Sequence, residues 1–560
     1  MKSKSFMLYH FSCSFIQILS LLFTGLLFVS GFLFTCYADD MVSQQVQTMA
    51  DNPFFQILGT GVLLGLVLLC CRLFCKKPTS GKKLLLVMVF GWIALLGGIL
   101  ILFGRTAPAA DAWSVYSAAE SLAMGDTSVI HPTDSYLSYY PQQVGLMAFF
   151  EFLIRLWKLL PTDLHAYHFI KCLYVVLTCI IVYYQYASVH LLWKDDRADC
   201  IYLILAGANL PLIMYSSFVY GETPSFAALS VGLYYLLKLL NPASADKSSE
   251  AGNASETAHA SETGNAPGLR RRSLLHGMFS LIALTLAVML RKNSLIIIIA
   301  VILVTVLEAL KNWRPRLLLF AALCAACSLT ILPATQKIYE LRSGSTLRSG
   351  VPAMSYFAMG MQESSRGNGW YNGFNFNTYQ ETGMDTAATA DISRQYMDER
   401  TDYFREHPGE AVDFYWNKYL SQWADGTYAS RQATLATLGG RHPLVETVYS
   451  GANSRFYIGY GNLYQTLIYL GCFAYVLNAL LKKQAIRLYE YLGIIGVLGG
   501  FLFHMIWEAN ARYIFLYGLL LLPYAACGIS RLSSNAVLEK FRKNNTVRRS
   551  DATEEPTTAA

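Results

Sequence analysis

Long stretches of apolar residues recur along this chain, separated by short polar segments. A helix needs about 20 apolar residues to cross roughly 30 Å of hydrocarbon. A backbone in lipid must also satisfy its own hydrogen bonds, so each stretch is predicted to be a helix rather than a strand. The pattern predicts about twelve spans, over residues 11–36, 54–74, 84–103, 167–193, 201–219, 221–240, 274–290, 294–310, 317–333, 463–481, 491–506 and 514–529.

The polar segments between these runs divide the chain. Residues 105–143 carry Asp111, Glu120, Asp126 and Asp134 and are rich in aromatic residues. Residues 241–268 are rich in Ala, Ser, Glu and Gly and have almost nothing to bury, which predicts a disordered linker. The predicted organisation is N-terminal spans (1–103), a first large loop (104–165), spans with a linker at 241–273 (166–335), a polar region (336–461), C-terminal spans (462–530) and a basic, disordered tail (531–560).

Composition supports a membrane protein. Of the 560 residues, 54% are hydrophobic and only 14% are charged, so a water-soluble globule is excluded. The net charge of +7 comes from Lys and Arg beside the predicted spans, so these residues indicate topology rather than nucleic-acid binding. Most of the twelve cysteines lie in or at the ends of apolar runs, which disfavours a disulfide framework or a zinc site. The first run is longer than a signal peptide's core and is kept as a span.

Charge bias orients the spans. Lys76, Lys77, Lys82 and Lys83 lie between the second and third spans and place that loop in the cytoplasm. Residues 105–143 are then outside. The next apolar run, 144–160, is interrupted by charged residues. If it crosses, every later basic cluster moves outside, so we predict an amphipathic helix that lies on the outer surface, with both termini cytoplasmic.

With this topology, four polar clusters fall on the outer face: Asp111, then Tyr220-Gly-Glu222, then Arg291-Lys292-Asn293, then residues 507–513 with Glu508 and Arg512. Ionisable residues at membrane depth are costly and indicate function. Two structural readings stay open. Each cluster could simply mark a helix end, and Glu508 with Arg512 could form an i,i+4 pair.

Carboxylates beside arginine at an outer membrane surface suit sugar transfer from a lipid phosphate. The guanidinium group matches phosphate, and a carboxylate can take the proton of an attacking hydroxyl. Nearby cations would stabilise the departing phosphate. Aromatic residues in the first loop suit sugar faces, although a membrane aromatic belt explains most of them; they are Trp113, Tyr116, Tyr136, Tyr139 and Tyr140.

Short motifs spread over nearly the whole chain resemble the GT-C glycosyltransferases, an integral membrane class that includes protein O-mannosyltransferases and the lipid A aminoarabinose transferase. The pattern is similar to the glycosyltransferase-family-39-like proteins of Gram-positive bacteria. The motifs are Asp111-Ala-Trp113, Ala118-Ala-Glu120, Met124-Gly-Asp126, Tyr140-Pro-Gln142-Gln143, Tyr220-Gly-Glu222-Thr-Pro224, Arg291-Lys-Asn293, residues 351–360, Gly369-Trp-Tyr-Asn372 and Glu508 to Tyr513.

The resemblance implies an all-α polytopic GT-C fold, juxtamembrane helices in the first loop, a small mixed extracytoplasmic region, a polyprenyl-phosphate sugar donor and inverting transfer. Members of the family carry a paired Asp-Glu in the first loop, whereas Ala112 follows Asp111 here. Asp111 is therefore the candidate base by motif position, and Glu222 is an alternative or a partner.

The remaining expected roles follow from these clusters. We expect Arg291, Lys292 and Arg512 to bind the donor phosphate or lipid, and a further set to bind substrate: Trp113, Tyr140, Gln142, Tyr220, Asn293 and Glu508. No His, Asp or Glu spacing demands a metal, so no cofactor is predicted. The expected location is the plasma membrane, and the acceptor would be a cell-wall polymer, a lipid-linked glycan or a protein.

Two other function classes compete with the transferase. A flippase or transporter of lipid-linked substrates should show an internal repeat and interrupted helices at the bilayer midplane. The sequence shows no such repeat. A protein that keeps the fold but has lost catalysis, acting as a sensor or scaffold, would bind a polyprenyl-phosphate sugar without turnover.

Overall fold

The computed structural model describes residues 2–39, 43–76, 78–104, 108, 110–133, 135–161, 164–241, 267–434, 442–484 and 486–534. The predicted linker core (242–266) and most of the basic tail (535–560) lie outside the described residues, as does Asp134.

Helices make up nearly all of the described structure. The first ten are α1 (Lys2–Leu33), α2 (Pro53–Cys75), α3 (Pro78–Gly104), α4 (Ala110–Met124), α5 (Tyr136–Tyr139), α6 (Val144–Trp157), α7 (Ala166–Trp193), α8 (Asp196–Ala208), α9 (Leu210–Tyr215) and α10 (Glu222–Leu240). Next come α11 (Pro267–Leu290), α12 (Leu295–Asn312), α13 (Pro315–Ser343), α14 (Ala353–Met359), α15 (Phe374–Glu381) and α16 (Thr386–Glu406). The chain closes with α17 (Pro408–Trp423), α18 (Ser430–Thr434), α19 (Pro443–Tyr449), α20 (Gly451–Leu481), α21 (Leu492–Ile506) and α22 (Ala511–Ser534).

Polar contacts define two opposite ends of the helix bundle. Lys82 at the start of α3 donates to Asp199 of α8 at 3.0 Å, and we name this the Lys82 end. Tyr9 of α1 donates to Glu308 of α12 at 2.7 Å, and the backbone N–H of Leu488 donates to the Tyr9 hydroxyl at 3.2 Å. The start of α1 and the end of α12 therefore lie beside the segment that leads into α21. The opposite end carries Asp111 and is named the Asp111 end.

Eleven helices of the described residues are long and apolar enough to cross a membrane, so the chain is a multi-pass membrane protein. The predicted all-α polytopic architecture is confirmed. A twelfth crossing was predicted as a continuous helix over 201–219, and this is wrong. The chain crosses there as α8 and α9, because it turns at Asn209, whose side chain caps α9 by accepting from the Leu212 N–H at 3.0 Å.

The segment 144–160 forms a short helix that is not among the eleven candidate spans of the described residues. Its helix α6 has 14 residues, about 21 Å of rise, which is too short for the bilayer core. The Glu151 carboxylate accepts from Arg155 at 2.8 Å and from Tyr339 and Arg342 of α13 at 2.5 and 2.6 Å. Burial opposes ionisation of Glu151, but the hydrogen bonds from Tyr339, Arg342 and Arg155 together hold its pKa below the usual value. Glu151 and Arg155, two of the charges that interrupt this apolar run, are therefore paired at the Asp111 end.

A two-stranded antiparallel hairpin was not predicted from the sequence. Strands β1 (Phe34–Ala38) and β2 (Val46–Ala50) follow α1, which ends at Leu33 although the apolar run continues to residue 36. The described part of region 336–461 consists of helices joined by loops, and its one β contact is an isolated bridge between Trp370 and Ala509. Helix α13 also runs ten residues past Pro333, and α20 begins twelve residues before 463, so two spans extend beyond the predicted bundle.

Candidate active site

A buried ionic cluster joins three helix ends at the Asp111 end. Glu222 lies in the first turn of α10 and is 5% exposed. Its carboxylate contacts Arg291, which follows α11, and lies 3.6 Å from the Nε of Arg512 in α22. Gly221 has no side chain, so the backbone oxygen of Leu290 can lie only 2.7 Å from the point that a Cβ of residue 221 would occupy. This absence of a side chain lets the start of α10 approach the end of α11 closely. Two guanidinium groups thus share one carboxylate.

This cluster has an excess of positive charge and unused hydrogen-bonding capacity. The buried Oε2 of Glu222 and Nε of Arg512 have no hydrogen-bond partner among the described residues. Buried polar atoms are normally satisfied, so such orphans mark a place for a polar ligand. A small cavity adjoins them, lined by Glu222, Ser225, Phe226, Arg291, Arg512, Phe515 and Leu516. The arrangement suits an anion.

The first loop reaches this cluster through Tyr220. Gln143 donates to the Tyr220 hydroxyl at 2.5 Å, and Tyr174 donates to the Tyr220 backbone oxygen at 2.6 Å. The guanidinium of Arg512 lies 5.6 Å from the centre of the Tyr220 ring, which is cation–π distance. Gln143 is therefore the residue whose amide joins the loop to the turn beside the buried arginines.

Asp111 lies in the first turn of α4 with its side chain exposed. Burial is the main cause that raises the pKa of Tyr140, and the charge of Asp111 is the second. The same two causes, in the same order, raise the pKa of Tyr220. Asp111 is thus near both the aromatic part of the first loop and the turn that leads into Glu222.

Glu508 lies in the turn before α22 and is buried. The N–H of Ala509 donates to the Gly369 oxygen at 2.7 Å, and Tyr513 donates to the Glu508 carboxylate at 3.3 Å. Burial raises the pKa of Glu508 to about 7, Arg512 opposes this, and the charge of Asp111 adds to it. No ion pair joins Glu508 to Arg512 among the described residues, because Glu508 precedes the helix and Arg512 points to Glu222.

Lys418 was missed by the sequence analysis. It lies in α17, is 0% exposed, and donates to the Gly360 oxygen at 2.5 Å. Its side chain also packs against Gly369, whose φ is +72°. Burial lowers the pKa of Lys418 to about 7, and the charge of Glu508 opposes this. Lys418 belongs to no motif and lies among the aromatic residues of α17, so no pattern in the sequence indicated that it is near the site.

Other residues that the sequence analysis singled out are more exposed than the buried cluster. Trp113 is 51% exposed on α4, Lys292 is exposed, and Asn293 and Gln142 are half-buried. Glu120 pairs with His165 at 3.1 Å, and Asp126 accepts from the Ser128 N–H at 2.9 Å in an exposed turn. These last two carboxylates are occupied in local structure.

One group of possible metal ligands occurs among the described residues, at the opposite end of the bundle. His190 lies 2.8 Å from Asp199, and Asp196 completes the group. The ammonium of Lys82 already contacts both aspartates, so the charge of this group is compensated.

The buried state of Glu508 predicts a pH-dependent stability. Its pKa rises from 4.5 to about 7, so the folded protein holds a proton that the unfolded chain releases between these values. The contribution to stability is full below pH 4.5 and is lost as the pH rises to about 7. We expect Glu508→Gln, which resembles the protonated form, to flatten the fall in thermal midpoint over this interval. Glu381→Gln, at an exposed site on α15, should leave the slope unchanged.

No protein-family model matches the sequence, and no curated protein matches it. Among solved structures, the chain is similar to the oligosaccharyltransferase of Archaeoglobus fulgidus in the apo form, with a TM-score of 0.40 and 13% sequence identity. The match covers 84% of this chain and 53% of that one, so the chain spans about half of its length.

Proposed function

We propose that this protein is a membrane glycosyltransferase that moves a sugar from a polyprenyl-phosphate donor to an extracytoplasmic acceptor, with inversion. One observation carries the proposal: an exposed carboxylate, Asp111, lies beside a buried cluster in which Arg291 and Arg512 share the single carboxylate of Glu222. The motif resemblance described above supports the same reading. The acceptor would be a wall polymer, a lipid-linked glycan or a protein.

The chemistry follows from the charges. Asp111 accepts the proton of an acceptor hydroxyl while the hydroxyl oxygen attacks the anomeric carbon. The bond from that carbon to the phosphate oxygen breaks, and the phosphate leaves with the bonding electrons. Arg291 and Arg512 stabilise the charge that develops on it. Glu222 holds both guanidinium groups in place, and Lys292 adds an exposed cation at the same helix end.

The distribution of basic residues supports an orientation with this site outside the cell. Lys76, Lys82 and Lys83 lie at the Lys82 end, where positive-inside bias places the cytoplasm. We place both termini on that side and assign the protein to the plasma membrane.

A flippase of lipid-linked substrates is the second candidate, favoured by the interruption between α8 and α9. The backbone at this break is satisfied by neutral partners, however. Tyr464 donates to the Leu205 oxygen at 2.7 Å, Tyr460 donates to the Ala208 oxygen at 2.6 Å, and Asn209 caps α9. Since no charged side chain contributes to these bonds, the transferase remains the better supported function.

Reconstitution separates the two candidates. Purified protein in liposomes would receive a polyprenyl-phosphate sugar with a labelled sugar and a mixture of cell-envelope acceptors. A transferase moves label from the lipid to the acceptor and produces free polyprenyl phosphate. A flippase changes only the leaflet that holds the intact donor. Leaflet exchange without any cleavage of the donor would contradict the proposal.

A further inference from the structure

Arg366 lies near the site and has no carboxylate partner among the described residues, in contrast to three arginines of the same region. In the same region Arg394 pairs with Asp391, Arg400 pairs with Glu363, and Arg405 pairs with Asp402 at 2.8 Å. Arg366 forms no ion pair with any carboxylate of the described residues. The two contacts of its guanidinium are uncharged: Nη1 donates to the Gln44 amide oxygen at 3.3 Å, and the group lies 5.4 Å from the centre of the Tyr371 ring.

The backbone of this residue is held firmly although its charge is not paired. The Val46 N–H, on strand β2, donates to the Arg366 oxygen at 2.8 Å. The Arg366 N–H donates to the Ser364 hydroxyl at 3.1 Å, and the next N–H, of Gly367 (φ +153°), donates to the Ser364 oxygen at 3.1 Å. The hairpin and a tight turn therefore fix the base of a long cationic side chain.

The loop that carries Arg366 adjoins the candidate active site. The Gly369 oxygen accepts from the N–H of Ala509, the neighbour of Glu508, at 2.7 Å. Burial is the main cause that raises the pKa of Tyr371; the charges of Glu508 and Asp111 add to it, and Arg366 opposes them. Tyr371 thus lies within range of the charges of Glu508 and Asp111, and Arg366 within range of Glu508, on a loop separate from the helix ends that hold Arg291 and Arg512.

We propose that Arg366, with Tyr371 and Gln44, binds an anionic group of the acceptor, either a phosphate or a carboxylate. This rests on the proposed transferase function. A guanidinium matches both anions in a bidentate fashion, and an aromatic ring such as that of Tyr371 can cover an apolar sugar face. Because the proposed donor phosphate already has Arg291 and Arg512, a further cation on the loop beside Glu508 serves the other substrate. The acceptor is therefore an acidic glycan or a phosphodiester polymer rather than a neutral glycan.

The test compares wild type, Arg366→Gln and Arg366→Lys in proteoliposomes with a polyprenyl-phosphate sugar. Three acceptor probes would be used: a glycerol phosphate oligomer, an oligoglucuronate and a neutral oligoglucan. Losing a charge-assisted hydrogen bond predicts that Arg366→Gln raises the KM for the preferred anionic probe by about 10-fold or more. The kcat and the donor KM should change less than about twofold, and Arg366→Lys should be intermediate. Arg405→Gln, on exposed α16, is the matched control.

A binding measurement makes the inference testable apart from turnover. Thermal shifts without donor should show that the glycerol phosphate oligomer or the oligoglucuronate stabilises wild type more than Arg366→Gln, and that the neutral oligoglucan does not. The two anionic arms identify whether phosphate or carboxylate is preferred. Equal shifts in both proteins, preference for the neutral probe, or a raised donor KM in Arg366→Gln would each overturn the inference. Absence of sugar transfer by wild type with every probe would instead count against the proposed function.

Discussion

Asp111→Asn is expected to abolish sugar transfer while the protein still folds. Asparagine has nearly the same size but cannot accept the proton of the attacking hydroxyl, and a positioned base typically contributes about 10²- to 10⁴-fold to the rate. Because Asp111 is exposed in the first turn of α4, where asparagine is also tolerated, the thermal midpoint should hardly change. The measurement is single-turnover transfer from a labelled polyprenyl-phosphate sugar.

The matched control for this variant is Asp126→Asn. Asp126 belongs to the same predicted loop and is exposed, and its carboxylate only caps a turn by accepting from Ser128. Its removal should leave the rate within about twofold, since an exposed turn residue makes no contact with the site. Full activity of Asp111→Asn would remove Asp111 as the base, and Glu222 and Glu508 would then be the carboxylates to test.

Glu222→Gln is expected to cause the largest loss of stability. The change leaves Arg291 and Arg512 close together and buried without their shared counter-charge. Removing one partner of a buried ion pair typically costs about 3–5 kcal/mol, because the remaining charge is uncompensated. A strongly lowered thermal midpoint in detergent would show this. Inorganic pyrophosphate should restore part of the loss, since an anion between the guanidinium groups replaces the missing charge.

Glu399→Gln serves as the control for Glu222→Gln. Glu399 is an exposed residue of α16 whose carboxylate accepts from Gln395 at 2.9 Å. Its neutralisation should change the free energy of unfolding by less than about 0.5 kcal/mol, so the thermal midpoint should hardly move. If Glu222→Gln were as stable as this control, the charge of Glu222 would not be needed to compensate the two buried arginines. A Glu222→Gln protein that is destabilised but gains nothing from pyrophosphate would argue against an anion site at the two arginines.

Several polar clusters of the site were visible in the sequence one by one, but which of their residues contact one another was not. Glu222, Arg291 and Arg512 each lie in a short turn between predicted spans. The number of spans between these turns predicts that all three turns lie on the same side of the membrane. Their pairing was not predictable, because the three residues lie on different helix ends whose packing is decided by contacts such as that of Gly221 with Leu290. The i,i+4 spacing even suggested the wrong partner for Arg512.

The sequence by itself determined the membrane class and the positions of most long apolar helices, because hydrophobic length acts locally and can be counted along the chain. Only the tertiary structure decided which charges meet. It placed Lys418 next to the loop at Gly369, brought the hairpin of residues 34–50 to Arg366, and split one span at Asn209. These contacts join residues far apart in the chain, and no local periodicity records them.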